Sequence, residues 1–307
     1  MERILSEKFE NDLLNGCLKG LREHILADNT LMLAVRDGYV NVYYRGGNIL
    51  KLSEKGDGYD ASFDENYTKG QSLQLPNSPM RVASETDIQQ WVESFPVRKQ
   101  IMDFWFAKNP KMEREFQQLV ARENNTSPIS NETEYFITDI ELAIPGARFD
   151  MLAFKWLSTE RKADKVRLAL IEMKYGDGAL TGTSGIVAHL TQLGNFLSDS
   201  ESRKTLREMA TKQINQLNRL GLIAHKRTEG RDFDVVDDKC EVVFLFANSN
   251  PRATGLLKEL TSSEFTALVA KLGDYCDVRF FIANSAGYGM HEKCMVGLDA
   301  YVEFLKR

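Results

Sequence analysis

The stretch VRLALIEMK at residues 166–174 decides how the rest of this sequence is interpreted. It begins with a largely apolar run, which predicts a buried β-strand, and it ends on Glu172, Met173 and Lys174. Alternate side chains of a strand lie on the same face, so Glu172 and Lys174 are predicted to be neighbours. A buried acid and a buried lysine cost free energy unless they have a partner, a metal or a catalytic role. This strand is therefore a candidate functional site.

A second strand-like segment, RFDMLAF at residues 148–154, carries one carboxylate, Asp150. An aspartate on one strand and Glu-x-Lys on the next can hold a divalent metal beside a phosphodiester. Mg²⁺ prefers oxygen ligands and usually binds one or two carboxylates together with water. We therefore predict Mg²⁺, or Mn²⁺ in its place, bound by Asp150, Glu172 and the backbone carbonyl of Met173. Lys174 is predicted to orient the attacking water or to neutralise charge that develops on the phosphate.

Glu-x-Lys alone is a weak motif, and the chain contains a second copy, ERK at residues 160–162. That copy lies in a highly charged segment without a strand pattern and serves as an internal control. Only the copy at 172–174 combines an apolar strand, an upstream aspartate and a downstream helix. The alternative for that copy is a salt bridge between Glu172 and Lys174 on a solvated edge strand. The context favours the functional interpretation.

Composition narrows the class of protein. The 307 residues are 43% apolar and 27% charged, which is typical of a globular chain with about two domains or one large one. No apolar run approaches the ~18–20 residues that span a bilayer, and the N-terminus has no signal-peptide core, so we predict a cytoplasmic protein with no membrane partner. The net charge of −5 is compatible with a nuclease, because basic residues can be concentrated on one face of the protein. The scattered cysteines favour reduced thiols over a zinc site; they are Cys17, Cys240, Cys276 and Cys294.

The pattern predicts three segments. An α+β N-terminal module covers residues 1–80, a helical connector covers 81–109, and an α/β domain covers 110–307. In the connector, Pro96 is predicted to interrupt a helix that begins after Ser84. The predicted elements of the N-terminal module are a helix at 5–26, strands at 31–35, 39–44 and 49–52, and a loop or partly ordered excursion at 54–80.

The third segment begins with a helix and a three-stranded meander. Helices then separate the later strands, so we predict a mixed β-sheet with helices on both faces and an α/β fold class. Its predicted strands lie at about 134–144, 148–156, 167–174, 242–246 and 278–283, and its later helices at about 185–198, 202–220 and 256–272.

The run from Glu113 to about Phe246 resembles the PD-(D/E)XK phosphodiesterase superfamily, the fold of many restriction enzymes and repair exonucleases. The resemblance implies a restriction-endonuclease-like core of order α-β-β-β-α-β, with Asp150 on its second strand and Glu172 and Lys174 on its third. It implies hydrolysis of nucleic acid, with DNA favoured as partner. Two departures stand out. Phe149 occupies a position where the superfamily often has proline, and the long interval after Asp150 requires residues 158–165 to be an excursion of the hairpin.

Members of the superfamily often carry a metal-binding glutamate on the first core helix, which implies Glu113 or Glu115 here. The alternative for either is a solvated helix charge. Related exonucleases often carry Gln-x-x-x-Tyr on the helix after the lysine, and this chain has Gln192 with Phe196 in place of the tyrosine. His189 shares the helix face of Gln192 and could contact a phosphate or the attacking water with it. The alternative is a capping or core-edge polar pair.

Further basic and glycine-rich segments leave alternatives open. Residues 175–185 are glycine-rich near the predicted site but do not match the phosphate-binding loop of nucleotide hydrolases. A later basic stretch either follows a phosphate backbone or is a solvated helix face. Aromatic and arginine residues of the N-terminal module could stack on bases. The basic residues are Lys204, Arg207, Lys212, Arg219, Lys226 and Arg227, and the N-terminal ones are Arg36, Tyr43, Tyr44 and Arg45.

The leading hypothesis is a Mg²⁺-dependent nuclease. The alternatives are a non-enzymatic member of the same fold that binds nucleic acid or protein, and a purely structural interaction module. The sequence leaves open DNA versus RNA, the mode of cleavage, and whether the chain binds a partner protein or a second copy of itself.

Overall fold

The computed structural model describes residues 2–126, 133–178, 180–223, 230–236, 239–250, 254–283 and 287–307. The chain divides into two compact units. The first contains Met1–Gln118 and Gln216–Ala224, and the second contains Leu119–Asn215 and His225–Arg307. The segment predicted as a helical connector therefore belongs to the first unit. No described helix is both long and apolar enough to cross a membrane.

The first unit is built around an antiparallel sheet with strand order β1-β2-β3-β4-β5. Helices precede and follow this sheet in the chain. The elements are α1 (Glu7–Leu14), α2 (Lys19–Ala27), β1 (Leu31–Val35), β2 (Tyr39–Tyr44), β3 (Gly47–Lys55), β4 (Gly58–Ser62), β5 (Arg81–Val82) and α3 (Glu85–Phe106).

Two predictions for the first unit were wrong because local signals were overlooked. The predicted helix at 5–26 is two helices, which separate around Gly16, where a Cβ would lie 2.3 Å from the Asp12 carboxylate. The predicted loop at 54–80 contains β4, whose Tyr59 and Ala61 are buried while Asp60 points to solvent. The polar residues of β4 hid a strand pattern of period two.

The predicted interruption at Pro96 was also wrong, since α3 continues through it. A capping box between Ser84 and Asp87 begins the helix. Buried Trp91 and Phe95 anchor the turn before the proline. Pro96 itself is exposed, so water can satisfy the carbonyl that loses its donor. Packing therefore outweighs the ~3 kcal/mol that an internal proline costs a helix.

The second unit contains a mixed sheet with strand order β11-β10-β8-β7-β6, with β9 paired to β8. Helix α4 (Met112–Asn125) begins in the first unit and ends in the second. The other elements are β6 (Tyr135–Ile144), β7 (Ala147–Lys155), β8 (Lys165–Tyr175), α5 (Ile186–Ser198), α6 (Ser200–Arg219), β9 (Asp234–Val235), β10 (Cys240–Ala247), α7 (Thr254–Leu260), α8 (Ser263–Leu272), β11 (Cys276–Ala283) and α9 (Leu298–Lys306).

Strand direction changes at β8. The strands β6, β7 and β8 are antiparallel, whereas β8, β10 and β11 run parallel. All eight residues of β10 are buried, as expected of a parallel strand covered on both faces. An α/β fold with a mixed sheet and an antiparallel sheet, flanked by helices, is confirmed. The single helix predicted at 256–272 was wrong, because Ser262 caps a new helix by accepting a hydrogen bond from the Phe265 N–H.

Candidate active site

The register of β7 and β8 places the two predicted carboxylates at the same end of the strand pair. The strands pair from Lys155 with Arg167 to Met151 with Ile171, and Asp150 and Glu172 are the next residues beyond that last pair. The intervening residues 156–164 form a connection with a short 3-10 turn at Ser158–Glu160. The long interval in the sequence is therefore an excursion of an antiparallel pair, as the resemblance required.

The Asp150 carboxylate is fixed by the backbone of the neighbouring strand. Its Oδ2 accepts a hydrogen bond from the Met173 N–H at 2.8 Å, and the residue is 9% exposed. This contact lies just past the last backbone pair of β7 and β8. A side-chain acceptor thus satisfies a strand N–H at the point where the ladder ends, which holds the carboxylate in one orientation.

Glu172 is the most buried member of the group, with 2% exposure. Its Oε1 lies 2.7 Å from Lys174 Nζ and 2.9 Å from His189 Nδ1. Lys174 and His189 therefore contact the same oxygen. Within the described part of the chain, Oε2 makes no hydrogen bond or ion pair. Glu172 keeps one oxygen available for a further ligand.

Electrostatics keep Glu172 ionised. Burial alone would raise the pKa of its carboxyl, but the hydrogen bond to His189 and the charges of Lys174 and His189 outweigh burial, so the pKa lies below its ordinary value. An ionised carboxylate is the form that binds a hard cation such as Mg²⁺. The same contacts keep the buried Lys174, at 3% exposure, paired with an anion.

Helix α5 supplies His189 but leaves Gln192 outside this group. His189 is half-buried and contacts Glu172, whereas Gln192 is exposed and makes no hydrogen bond with any described residue. The two share a helix face in sequence, yet only His189 reaches a neighbour in β8. A contact of Gln192 with a phosphate stays a prediction.

The two glutamates predicted on the first core helix lie in the first unit, whereas Asp150 and Glu172 lie in the second. Both carboxylate oxygens of Glu115 are used by Arg45, whose Nε lies 2.9 Å from Oε1 and whose Nη2 lies 3.2 Å from Oε2. Glu115 is therefore held, half-buried, by an arginine of the first unit, and its metal-binding role stays a prediction. A metal-binding role for Glu113 stays a prediction.

Sequence reasoning missed an ion pair beside Asp150. Glu141 of β6 lies opposite Asp150, between the pairs Ile140 with Met151 and Leu142 with Phe149. Its φ of 54° is unusual for a residue other than glycine, and such distortions tend to occur at functional sites. Its Oε2 lies 2.5 Å from Arg148 Nη2.

Arg148 completes a row of charges along this face. It is two residues before Asp150, so both side chains share a face of β7, and its side chain is 62% exposed. The hydrogen bond to Glu141 raises the pKa of Arg148, and the charges of Asp150 and Glu172 act in the same direction. The two-residue spacing of Arg148 and Asp150 in the segment RFD could have indicated that Arg148 lies near the carboxylates.

Asp150, Glu172 and the Met173 carbonyl offer oxygen atoms, the type of ligand that Mg²⁺ prefers. No group of three or more His, Cys, Asp or Glu side chains suited to a metal occurs among the described residues. Two carboxylates and a backbone carbonyl, completed by water and substrate, are a common set for Mg²⁺. The Oε2 atom of Glu172, which has no partner in the described part of the chain, provides one ligand position.

The other predicted contacts lie elsewhere. Tyr44 donates to Asp103 and the Tyr43 hydroxyl accepts from Arg36, so both hydroxyls are engaged within the first unit.

The cysteines and the basic stretch lie apart from these tyrosines in the chain. Cys240 and Cys276 are free thiols that are buried opposite each other in β10 and β11, and burial raises the pKa of Cys276 to about 12. Lys204, Arg207 and Lys212 line one groove together with Glu208 and Asp234, Arg219 pairs with Glu10, and Lys226 and Arg227 lie outside the described residues.

No protein-family model matches the chain, and no curated protein or solved structure shows significant similarity to it.

Proposed function

We propose that this protein is a metal-dependent nuclease with a restriction-endonuclease-like core formed by α4, β6, β7, β8, α5 and β10. The observation that supports this proposal is that the Asp150 carboxylate accepts from the N–H of Met173, the residue between Glu172 and Lys174, whose side chains pair at 2.7 Å. The order of elements and the parallel pairing of β8 with β10 are compatible with that core. A cytoplasmic location stays a prediction from the sequence.

Asp150, Glu172 and the Met173 carbonyl would hold Mg²⁺ or Mn²⁺. When bound, such an ion polarises a phosphoryl oxygen and lowers the pKa of a bound water. The chain contributes the orientation of its ligands. The Met173 N–H orients the Asp150 carboxylate, and His189 and Lys174 hold Oε1 of Glu172 so that Oε2 is presented to the ligand.

Lys174 is the residue that we assign to the reacting phosphate. Its ammonium is already positioned by Glu172 at 2.7 Å, so little side-chain entropy remains to be lost when substrate binds. From this position it orients the attacking water or stabilises charge that develops on the phosphate. His189 acts through Glu172 and is a positioning residue. Arg148 offers an exposed cation to a phosphate beside the scissile one.

The test is cleavage of labelled single- and double-stranded DNA and RNA, with Mg²⁺ or Mn²⁺, by the wild type and by Lys174→Ala. Lys162→Ala is the matched control, because it removes the exposed lysine of the second Glu-x-Lys motif. The proposal expects cleavage by the wild type and the control and at least about a hundredfold loss in Lys174→Ala. The substrate that is cut identifies the nucleic-acid class.

The alternative is a non-enzymatic member of the same fold. The ion pair of Glu172 with Lys174 and His189 would also suit a structural site, which is why the control matters. The alternative expects no cleavage by the wild type and binding of nucleic acid that survives Lys174→Ala. Equal cleavage by wild type and Lys174→Ala would contradict the assigned role of Lys174.

A further inference from the structure

The first unit contains a pocket of about 340 Å³ that no predicted contact uses. Three cationic side chains line it, Lys69, Lys111 and Arg114, with Asp64 as the acidic one. All lining residues belong to the first unit, so the pocket is independent of Asp150 and Glu172. Its volume is at the lower end of the ~300–1,000 Å³ typical of small-molecule sites.

One wall of the pocket is aromatic. Trp105 meets Tyr67 edge to face at 5.1 Å and Phe106 at 5.3 Å between ring centroids. Tyr67 and Phe106 are buried, whereas Trp105 is only half-buried. The supported indole ring therefore keeps part of its surface available for stacking by a planar group.

Trp105 also differs from the other two tryptophans in its polar atom. The indole N–H groups of Trp91 and Trp156 donate to the carbonyls of Pro79 and Ala163. The Trp105 indole N–H donates to no described residue. Because the majority of buried indoles find a partner, an accessible indole donor at a pocket is available to a ligand.

The cations point to an anionic ligand. Lys69 contacts the amide oxygen of Asn66 at 2.5 Å, and among the described residues neither Lys69 nor Lys111 forms an ion pair. Lys111 directly precedes α4 and Arg114 lies in its first turn, where positive charge opposes the helix dipole. Glu113 and Glu115 also lie in this turn, but neither lines the pocket, whose described lining residues carry more positive than negative charge and so favour an anion.

Glycines give the pocket its shape. Gly46, at φ 72°, lies in the turn between β2 and β3, and a Cβ there would be 2.5 Å from the Arg114 carbonyl carbon. A Cβ on Gly47 would be 2.6 Å from the Tyr67 hydroxyl and 2.7 Å from Phe106 Cζ. Only glycine permits this approach of the turn to the aromatic wall and to α4.

We propose that this pocket binds one nucleotide unit, with the base against Trp105 and the phosphate held by Lys69, Lys111 and Arg114. A ring platform beside clustered cations matches a group that carries both a π-face and a negative charge. The volume fits a single nucleotide unit. The ligand is either a free mononucleotide or a nucleotide of a single strand, because both present the same base and phosphate.

Trp105 provides the readout. Its fluorescence should be quenched saturably on addition of AMP, and adenosine or inorganic phosphate alone should bind more weakly, since each offers only half of the contacts. A short labelled oligothymidylate, followed by anisotropy, distinguishes the second source: binding by the oligonucleotide without binding by AMP assigns the pocket to a strand. Isothermal calorimetry on Trp105→Phe checks that the optical signal reports this site.

The double variant Lys111→Ala/Arg114→Ala should weaken binding about tenfold or more, because charge-assisted contacts to phosphate are lost. Lys108→Ala is the matched control, an exposed lysine nearby that does not line the pocket. All three positions are exposed, so the fold should tolerate the changes, and equal melting temperatures verify this. Equal affinity of wild type and double variant, or no saturable binding of either probe, overturns the proposal. None of these results depends on cleavage.

Discussion

The ring of Phe149 meets the ring of Phe196 edge to face, with 5.8 Å between centroids and 76° between planes. In the superfamily that the sequence resembles, the position of Phe149 often holds proline and that of Phe196 often holds tyrosine. The two phenylalanines that stand at these positions here contact each other. This aromatic pair connects β7, just before Asp150, to α5, which carries His189.

Phe149→Ala should destabilise the protein by about 3–5 kcal/mol, because it removes a fully packed ring and leaves a cavity. Phe149 is 1% exposed. The measurement is urea unfolding of wild type and variant. Phe104→Ala is the matched control: that ring is 51% exposed, so its loss should cost no more than about 0.5 kcal/mol. If Phe149→Ala and Phe104→Ala lower the free energy of unfolding by similar amounts, the contact between Phe149 and Phe196 contributes little to stability.

Glu172 should make stability depend on pH in the acid range. Its pKa is lowered in the folded state, so the unfolded state binds the proton more readily. The stabilisation is therefore complete above the ordinary glutamate value of about 4.5 and is lost as pH falls through the lower folded pKa. Glu172→Gln should be less stable than wild type at neutral pH, and urea unfolding should show the difference shrinking on acidification.

Glu160→Gln provides the control for that pH series, since Glu160 is the exposed glutamate of the second Glu-x-Lys motif. Its unfolding free energy should follow the wild type at every pH. A difference between wild type and Glu172→Gln that stays constant from neutral to acid pH would contradict the lowered pKa of Glu172.

Mg²⁺ or Mn²⁺ should raise the melting temperature of the wild type, because a ligand that binds the native state stabilises it. At one hundred times the dissociation constant the gain is about 2.7 kcal/mol. Asp150→Asn should abolish the shift while keeping a side-chain oxygen that can accept from the Met173 N–H. Both proteins are first freed of metal, and differential scanning calorimetry then measures the melting temperature of each before and after Mg²⁺ or Mn²⁺ is added. A shift of equal size in Asp150→Asn would place the metal elsewhere.

The sequence was sufficient for those elements in which local pattern and packing agree. The apolar run before Glu172 predicted β8, and the strand-like segment RFDMLAF at 148–154 predicted β7, which carries Asp150. The same reasoning failed at Pro96, because burial of Trp91 and Phe95 keeps α3 continuous despite a local signal to end it. Tertiary packing outweighed the local preference there.

The candidate site was only partly predictable for a related reason. Asp150 and Glu172 each lie one residue beyond the last pair of β7 and β8, and sequence patterns can indicate such strands. The contact of His189 with Glu172 depends on how α5 packs on the sheet, which no spacing in the sequence specifies. The left-handed conformation of Glu141 likewise has no sequence signal, since glutamate rarely adopts it.

Arg148→Ala should weaken binding of nucleic acid and reduce its salt dependence. Losing one phosphate contact lowers the slope of log affinity against log salt by about one unit. Titrations at several salt concentrations, with metal-binding site intact and Ca²⁺ replacing Mg²⁺ to suppress cleavage, measure that slope. Lys165→Ala is the matched control: it removes an exposed strand cation at the opposite end of β8 from Glu172, so its slope should equal that of the wild type. Equal slopes for all three proteins would exclude a phosphate contact by Arg148.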